Sequence, residues 1–229
     1  MQRPIPRTSL LLTLALSLLA EIDTFGIQPA IANLIDNIEV LQETNACVEC
    51  QLGKANLSDS KFSGADLYNA DLTEANLKNT DLSNANLINS ALVNANLRRS
   101  NLSGANLRKA NLGRVNLLNA NLKGTNLTLT NLVNSNLSGS DLTSADLSGA
   151  SLWRANLSKT ILIDTAMTGA NLTNATLKDA LLDEKTLNGA KLCNTTMPDG
   201  TIENKDCLPE KKPEQKTDQN SDQNSNPKP

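Results

Sequence analysis

The four cysteines are the residues of this 229-residue sequence whose spacing most directly suggests chemistry, and they form two pairs. A disulfide between Cys193 and Cys207 would close a loop of about 15 residues, worth roughly 3 kcal/mol in the chain-entropy model. Cys47 and Cys50 form a Cys-x-x-Cys motif of the kind used in thiol-redox proteins. Thiol-redox chemistry favours a helix N-terminus, whereas the helix predicted here ends at the motif. We therefore predict a disulfide between Cys193 and Cys207. For Cys47 and Cys50 we predict either a disulfide or inert thiols, and redox activity is the alternative.

The amino-acid composition argues against catalysis and against nucleic-acid binding. The sequence contains no histidine, which excludes Ser-His-Asp and Cys-His nucleophile systems and imidazole metal ligands. Its 21 basic and 24 acidic residues give a net charge of -3, so no broad basic surface for nucleic acid is expected. We predict no catalytic residue, no cofactor and no metal site.

A band of basic residues occupies the middle of the chain, where no acidic residue occurs between Leu82 and Ser140. It comprises Arg98, Arg99, Arg108, Lys109, Arg114 and Lys123. The band either docks an acidic partner or an anionic membrane surface, or is solvated charge that keeps the protein soluble. The single tryptophan, Trp153, is followed by Arg154 and is predicted to point outwards as a contact residue.

The basic residues and Trp153 lie within a five-residue sequence repeat. Leucine, or a near equivalent, stands at every fifth position from Leu52 to Leu182 without a slip of phase, with Phe62 and Met167 as the exceptions. Two residues before each of these positions the side chain is small, and the residue directly before is mostly Asn or Asp. Predicted core residues include Leu52, Leu57, Phe62, Leu67, Leu72, Leu77, Leu107, Leu147 and Met167.

A period of five fits neither common secondary structure. Steps of five on an α-helix advance by about 140°, which would spread the leucines around the whole circumference. On a flat strand an odd step sends successive leucines to opposite faces. The leucines can share one interior only if the chain turns by a constant angle in each pentapeptide and winds around an axis, with leucines filling the centre.

The tandem pattern A(D/N)LXX, seen here as ADLYN, ANLKN, SNLSG and ADLSG, resembles the pentapeptide-repeat family. The resemblance implies an all-β solenoid, a right-handed quadrilateral β-helix with four pentapeptides per coil and β-turns at the corners. About seven coils at ~4.8 Å each would make a rod ~32 Å long. Glycines two residues after a leucine, such as Gly64 and Gly104, suit corners that need a positive φ.

The four-sided arrangement limits the candidate sites further. The two cysteine pairs would lie at opposite ends of the rod, which rules out a shared four-thiolate zinc site. Residues 20 apart would stack on one face, and no two acidic residues of the coils do so, which leaves no paired carboxylates for acid–base catalysis. Arg98, Arg108, Arg114 and Lys123 would fall on four different faces, so the basic band would encircle the rod.

The chain divides into five predicted segments. Residues 1–32 read as a signal peptide, with Arg3 and Arg7 before an apolar run and cleavage after Ala32. Residues 33–49 form an N-terminal capping helix, Asn33–Ala46, followed by the Cys-x-x-Cys motif. Residues 50–182 form the regular β-helix, which should end before Lys185 because the small inward column cannot hold an ammonium. The phase is kept at Leu187, Leu192, Met197 and Ile202, which leaves one distorted further coil as an alternative. Residues 183–207 form a C-terminal cap, and residues 208–229 a disordered tail.

The sequence predicts an exported, non-catalytic structural or protein-interaction module of the thylakoid lumen or periplasm. Its partner would be an unknown protein; nucleic-acid binding and a membrane span after signal cleavage are not expected, and the protein would be a monomer or weak end-to-end dimer. One alternative is a thiol-redox protein using Cys47/Cys50. Another is a DNA mimic that binds topoisomerases, as some members of this family do, but the basic band is a poor imitation of phosphate charge.

Overall fold

The computed structural model describes residues 28–207. Its regular elements are one helix, α1 (Gln28–Thr44), and four two-residue strands, β1 (Ile161–Leu162), β2 (Leu181–Leu182), β3 (Thr195–Thr196) and β4 (Ile202–Glu203). Strand β1 pairs with β2 in parallel, and β3 pairs with β4 antiparallel. The rest of the solenoid is held by isolated parallel bridges between residues 20 apart, which makes each coil four pentapeptides long.

The backbone hydrogen bonds show why each position of the repeat has its role, as the pentapeptide Asn101–Ala105 illustrates. Leu102 and Gly104 donate their N–H groups to the following coil at 2.7 and 2.8 Å, and Asn101 donates to the preceding coil at 2.9 Å. Ala105 donates back to the carbonyl of Leu102 at 2.9 Å and closes the corner turn. Ser103 donates to the side-chain oxygen of Asn101 at 3.2 Å. All five N–H groups are therefore paired, as a buried or edge-free backbone requires.

The interior is filled by the side chains that the five-residue period selects. Between Leu52 and Leu177 every residue at this position is buried, including Phe62 and Met167, and Leu182 is partly buried. The small residues two positions earlier lie against the same core, and where they are Ser or Thr most hydroxyls bond to a nearby carbonyl, as Thr80 does to Leu57 at 2.8 Å. In the described residues, the centre of the coils is thus filled by leucines and the small residues packed against them.

From Leu52 to Leu177, the corners adopt a positive φ at the second residue after each central residue, whatever that residue is. Gly64 and Gly104 both have φ of 68°, but Arg99 has 57° and Leu129 has 58°. Because each corner is closed by a bond from the third residue after the leucine, positive φ at this place is typical of a type II turn. The coil therefore imposes this conformation on ordinary residues, and glycine is not required there.

Beyond Leu182, where the sequence places the end of the regular coils, the coil is first distorted and then continues. Lys185 is exposed, and Thr186 takes the small inward position with 2% exposure, donating to the carbonyl of Leu162 at 3.0 Å. One inserted residue thus keeps the ammonium out of the core. The parallel register then resumes at Asn171↔Lys191 and continues to Thr196, before the β3–β4 hairpin.

The N-terminal end also differs in its boundaries from the predicted Asn33–Ala46 helix. Helix α1 begins earlier, at Gln28, and ends at Thr44, where Asn45 with φ of 56° donates to Leu41 at 3.0 Å in a left-handed cap. Leu41 is fully buried against the first coil. Ala46 already pairs with Asp66, so the Cys-x-x-Cys motif belongs to the first coil. Most of the predicted signal peptide and all of the predicted tail lie outside the described residues.

Replacing Leu107 by Ala should lower the free energy of unfolding by about 2–5 kcal/mol, because the neighbouring coils cannot collapse into the cavity. Leu107 is fully buried, whereas the next residue, Arg108, is exposed. Arg108→Ala should change the same free energy by less than about 0.5 kcal/mol. Urea denaturation followed by circular dichroism measures both, and comparable losses would contradict the inward and outward assignment.

Candidate interaction surface and disulfides

The outer walls of the solenoid are lined by Asn and Asp side chains that are already committed to hydrogen bonds. Asn131 accepts the N–H of Val133 at 3.1 Å through its side-chain oxygen and donates to the side-chain oxygen of Asn111, one coil earlier, at 2.9 Å. Repetition of these two contacts produces ladders along the walls. Such side chains orient the corners and offer little free reactivity.

Two acidic members of these ladders, Asp81 and Asp141, have lowered pKa values. Hydrogen bonds from Ser83, supplemented by the side-chain amide of Asn101 at 3.0 Å, lower the pKa of Asp81. Partial burial alone would raise the pKa of Asp141, but the hydrogen bonds from Thr143 and the ammonium of Lys123, 3.1 Å away, outweigh it and lower that pKa. A carboxyl held below its usual pKa is a poor general acid or base near neutral pH.

The basic residues singled out in the sequence lie at corners, and the 20-residue register distributes them over all four. Arg98 and Arg99 share one corner, Arg108 and Lys109 another, and Arg114 and Lys123 lie at the two remaining corners. The Lys123 ammonium is paired with Asp141 at 3.1 Å. The structure therefore does not gather the six cations into one patch.

Trp153 has the most distinctive environment among the predicted contact residues. It lies directly after Leu152 at a corner, half-buried, with its indole facing the guanidinium of Arg154 at 4.1 Å from the ring centroid. This stacking is a cation–π contact, which orders both side chains on the surface. Stacked residues at the same corner, Val93, Gly113 and Val133, were not singled out in the sequence, although reading it in steps of 20 brings them into one row.

Both cysteine pairs form disulfides. Cys193 and Cys207 are joined across the hairpin with their Cα atoms 4.7 Å apart, and Cys47 and Cys50 are joined with their Cα atoms 5.3 Å apart. Cys47 is only 2% exposed and belongs to the same buried core as Leu41. Both bridges thus fasten an end of the rod.

No cluster of three or more potential metal ligands is found in residues 28–207. In that same range, none of the helical structure has the length and apolar character that a membrane crossing demands.

Comparison with known families identifies the repeat. A model described as a pentapeptide repeat region matches residues 47–122, and a model of pentapeptide repeats (8 copies) matches residues 110–149 and 140–179. Together the matches span residues 47–179, more than half of the chain. The chain therefore belongs to the pentapeptide-repeat family, whose members fold as right-handed β-helices, and the resemblance seen in the sequence is confirmed.

Solved structures of the same family are also similar. HetL from the cyanobacterium Nostoc, described as involved in heterocyst differentiation regulation, has 33% identity over 69% of this chain and 78% of its own, with a TM-score of 0.38. Rfr23 from the cyanobacterium Cyanothece has 29% identity over 69% and 97%, with a TM-score of 0.31. A thylakoid-lumen pentapeptide-repeat protein of Arabidopsis thaliana has 21% identity over 72% and 80%, with a TM-score of 0.31. A search of curated protein sequences finds no match.

Substituting Asn101 by Asp should destabilise the fold at pH 7, because the change removes the amide that bonds to Asp81 and places two carboxylates together. The matched control is Asn131→Asp, which loses the equivalent bond but meets the neutral Asn111. We expect Asn101→Asp to cost about 1 kcal/mol more than the control, the repulsion of two unit charges about 4 Å apart in bulk water.

The pH dependence checks the electrostatic origin of that difference. Repulsion raises the folded-state pKa of the carboxyl pair, so the penalty is full above that pKa and disappears as the pH falls and a proton binds. Urea unfolding at pH 7 and about pH 3 should show the gap between the two variants closing. A gap that stays constant between these pH values would contradict a charge–charge cause.

Removing the Cys193–Cys207 bridge by the double substitution Cys193→Ala and Cys207→Ala should lower the free energy of unfolding by roughly 3 kcal/mol. The loss should be local first, because Leu172 and Asn174 donate their amides to Lys191 and Cys193 in the fastened segment. Native-state hydrogen exchange should therefore accelerate at those two amides and not at Leu102. Equal acceleration at all three amides would contradict a local role for the bridge.

Proposed function

We propose that this protein is an exported, non-catalytic module that binds another protein through the outside of a rigid β-helix. The observation that carries the proposal is the solid interior. The central leucines, such as Leu102 and Leu107, have no exposed surface, and the small inward residues pack against them. Within residues 28–207 a ligand would therefore contact the outside of the coils or their ends, as in other repeat proteins that present extended surfaces.

Two features support a non-catalytic role. The sequence lacks histidine. The wall carboxylates with shifted pKa, Asp81 and Asp141, are stabilised as anions by Ser83 and by Thr143 and Lys123. Both carboxylates accept hydrogen bonds within the corners, so neither is free to act as a general acid or base.

Export to the thylakoid lumen or periplasm is supported by the disulfides and by the composition of residues 1–32. Disulfides persist in oxidising compartments and are rare in the cytosol. The arrangement of Arg3, Arg7, an apolar run and Ala30-Ile31-Ala32 is that of a signal peptide. Cleavage after Ala32 would retain the part of α1 that carries Leu41.

A thiol-redox function is disfavoured by the burial of Cys47. Thiol–disulfide exchange needs a sulfur that an external thiolate can reach. Cys47 is 2% exposed and Cys50 is partly buried, so an external thiolate has little access to the bridge unless the first coil opens. We propose a structural role for this bridge.

Expression of the full chain in a cyanobacterial host, followed by fractionation and intact mass measurement, tests the proposal. We expect a mature protein that begins at Asn33, lies outside the cytoplasm and has no thiol that reacts with an alkylating agent before reduction. Ala30→Lys is the matched control, because it removes the small residue needed at the cleavage site. A full-length cytoplasmic chain with free thiols would overturn export.

A further inference from the structure

One corner of the solenoid combines an apolar row with isolated positive charge. Val93, Gly113, Val133 and Trp153 occupy the first corner position in successive coils, and Asn94, Arg114, Asn134 and Arg154 occupy the second. We name these eight residues the tryptophan corner. Its four first-position residues are half-buried, so an apolar strip lies open to solvent beside a strip of exposed polar residues.

The strip is interrupted by a recess where Gly113 has no side chain. The recess holds about 230 Å³ and is lined by Val93, Val133, Asn111, Asn131, Arg114 and Asn134, along with Gly113 itself. Its ends are the two valines, one coil below and one coil above. An aliphatic side chain that entered it would complete the apolar row and lie beside a guanidinium.

The charges around the recess have a single sign. From Ala91 to Thr176, the two walls that meet at the tryptophan corner carry Ala, Ser, Thr and Asn at their outward positions. On these two walls and the corner between them, the charged side chains in that interval are Arg114 and Arg154. They stand two coils apart, about 10 Å along the rod at ordinary strand spacing.

Arg154 is positioned to receive a carboxylate. Its guanidinium carbon lies over the Trp153 ring, 4.1 Å from the centroid, and within residues 28–207 the guanidinium makes no hydrogen bond or ion pair that would have to be given up. A guanidinium held in this way loses little side-chain freedom on binding and donates two parallel hydrogen bonds to a carboxylate. Arg114 is exposed at the equivalent place beside the recess.

We propose that the tryptophan corner binds an extended acidic segment of a partner protein. Two carboxylates about 10 Å apart pair with Arg114 and Arg154, and an aliphatic side chain fills the recess at Gly113. A polyproline II segment suits this spacing, because three residues advance about 9 Å and return to the same side. The proposal rests on the function proposed above and adds the surface and the chemistry of the partner.

A protein segment fits this corner better than an anionic membrane does. Membrane attraction grows with the number of basic residues gathered on one surface, and here two arginines stand on a neutral ridge. The recess accepts one side chain, which favours a discrete ligand over a continuous lipid surface.

The single tryptophan provides a direct readout of binding, since selective excitation of the indole reports only on this corner. The probe is a synthetic peptide of repeated Glu-Leu-Pro triplets, and the control peptides are repeated Gln-Leu-Pro and Glu-Ser-Pro. We expect a saturable change in Trp153 emission with the first peptide and binding about tenfold weaker with each control.

Matched variants of the full chain locate the site. Arg114→Gln, Arg154→Gln and Gly113→Val should each weaken peptide binding about tenfold, a change of about 1.4 kcal/mol. Gly113 does not have a positive φ, and an added Cβ would make ordinary contacts with Asn111 Oδ1 at 3.4 Å and Asn131 Nδ2 at 3.7 Å. Valine already occupies the equivalent place in the neighbouring coils, at Val93 and Val133, so we expect Gly113→Val to fill the recess. Arg99→Gln, at another corner, is the control and should bind normally. Calorimetry accompanies fluorescence because Arg154→Gln also alters the indole environment.

Three results would overturn the proposal: no saturable change with the Glu-Leu-Pro peptide, equal weakening by Arg99→Gln, or an emission change with phosphatidylglycerol vesicles but not with the peptide. The second result would mean general electrostatic attraction, and the third would mean membrane binding. The export and thiol measurements do not involve this corner, so its failure is distinguishable from failure of the proposed function.

Discussion

The 20-residue register of backbone hydrogen bonds is the constraint on which the rest of the structure depends. The backbone of each pentapeptide pairs with neighbouring coils, and where Asn or Asp precedes the leucine, that side chain accepts the N–H group of the residue after the leucine, as Asn101 does from Ser103. A slip of one residue would break these pairs and turn leucine outwards. The insertion that moves Lys185 to solvent and Thr186 inwards is compensated before Lys191, because the register must be restored.

This constraint separates the residues that build the fold from those that can carry function. Three positions of each pentapeptide, the small residue, the Asn or Asp and the leucine, are occupied by packing and hydrogen bonding. The two corner positions remain free to vary, and their side chains stack with those of the same corner in the next coil. Any specificity for a partner therefore depends on the residues that stack at one corner in successive coils, such as those from Val93 to Trp153.

Neutral amides dominate the walls, so the few charges at the surface have distinct surroundings. Lys123 is neutralised by Asp141 at 3.1 Å, whereas Arg114 and Arg154 stand among Asn side chains. The basic band that looks continuous in the sequence is consequently divided among four corners. Its members differ in what they can bind, because a paired cation must first give up its partner.

The period of five by itself determined which side chains are buried, from Leu52 to Met167, because no other winding hides them all from water. The spacing of Cys193 and Cys207 likewise predicted their bridge. The place of Thr186 and the start of the first coil at Ala46 were decided by the tertiary structure, since both depend on pairing with a neighbouring coil. The recess at Gly113 was also decided by the tertiary structure, because the residues that line it come from three coils and meet only when those coils stack.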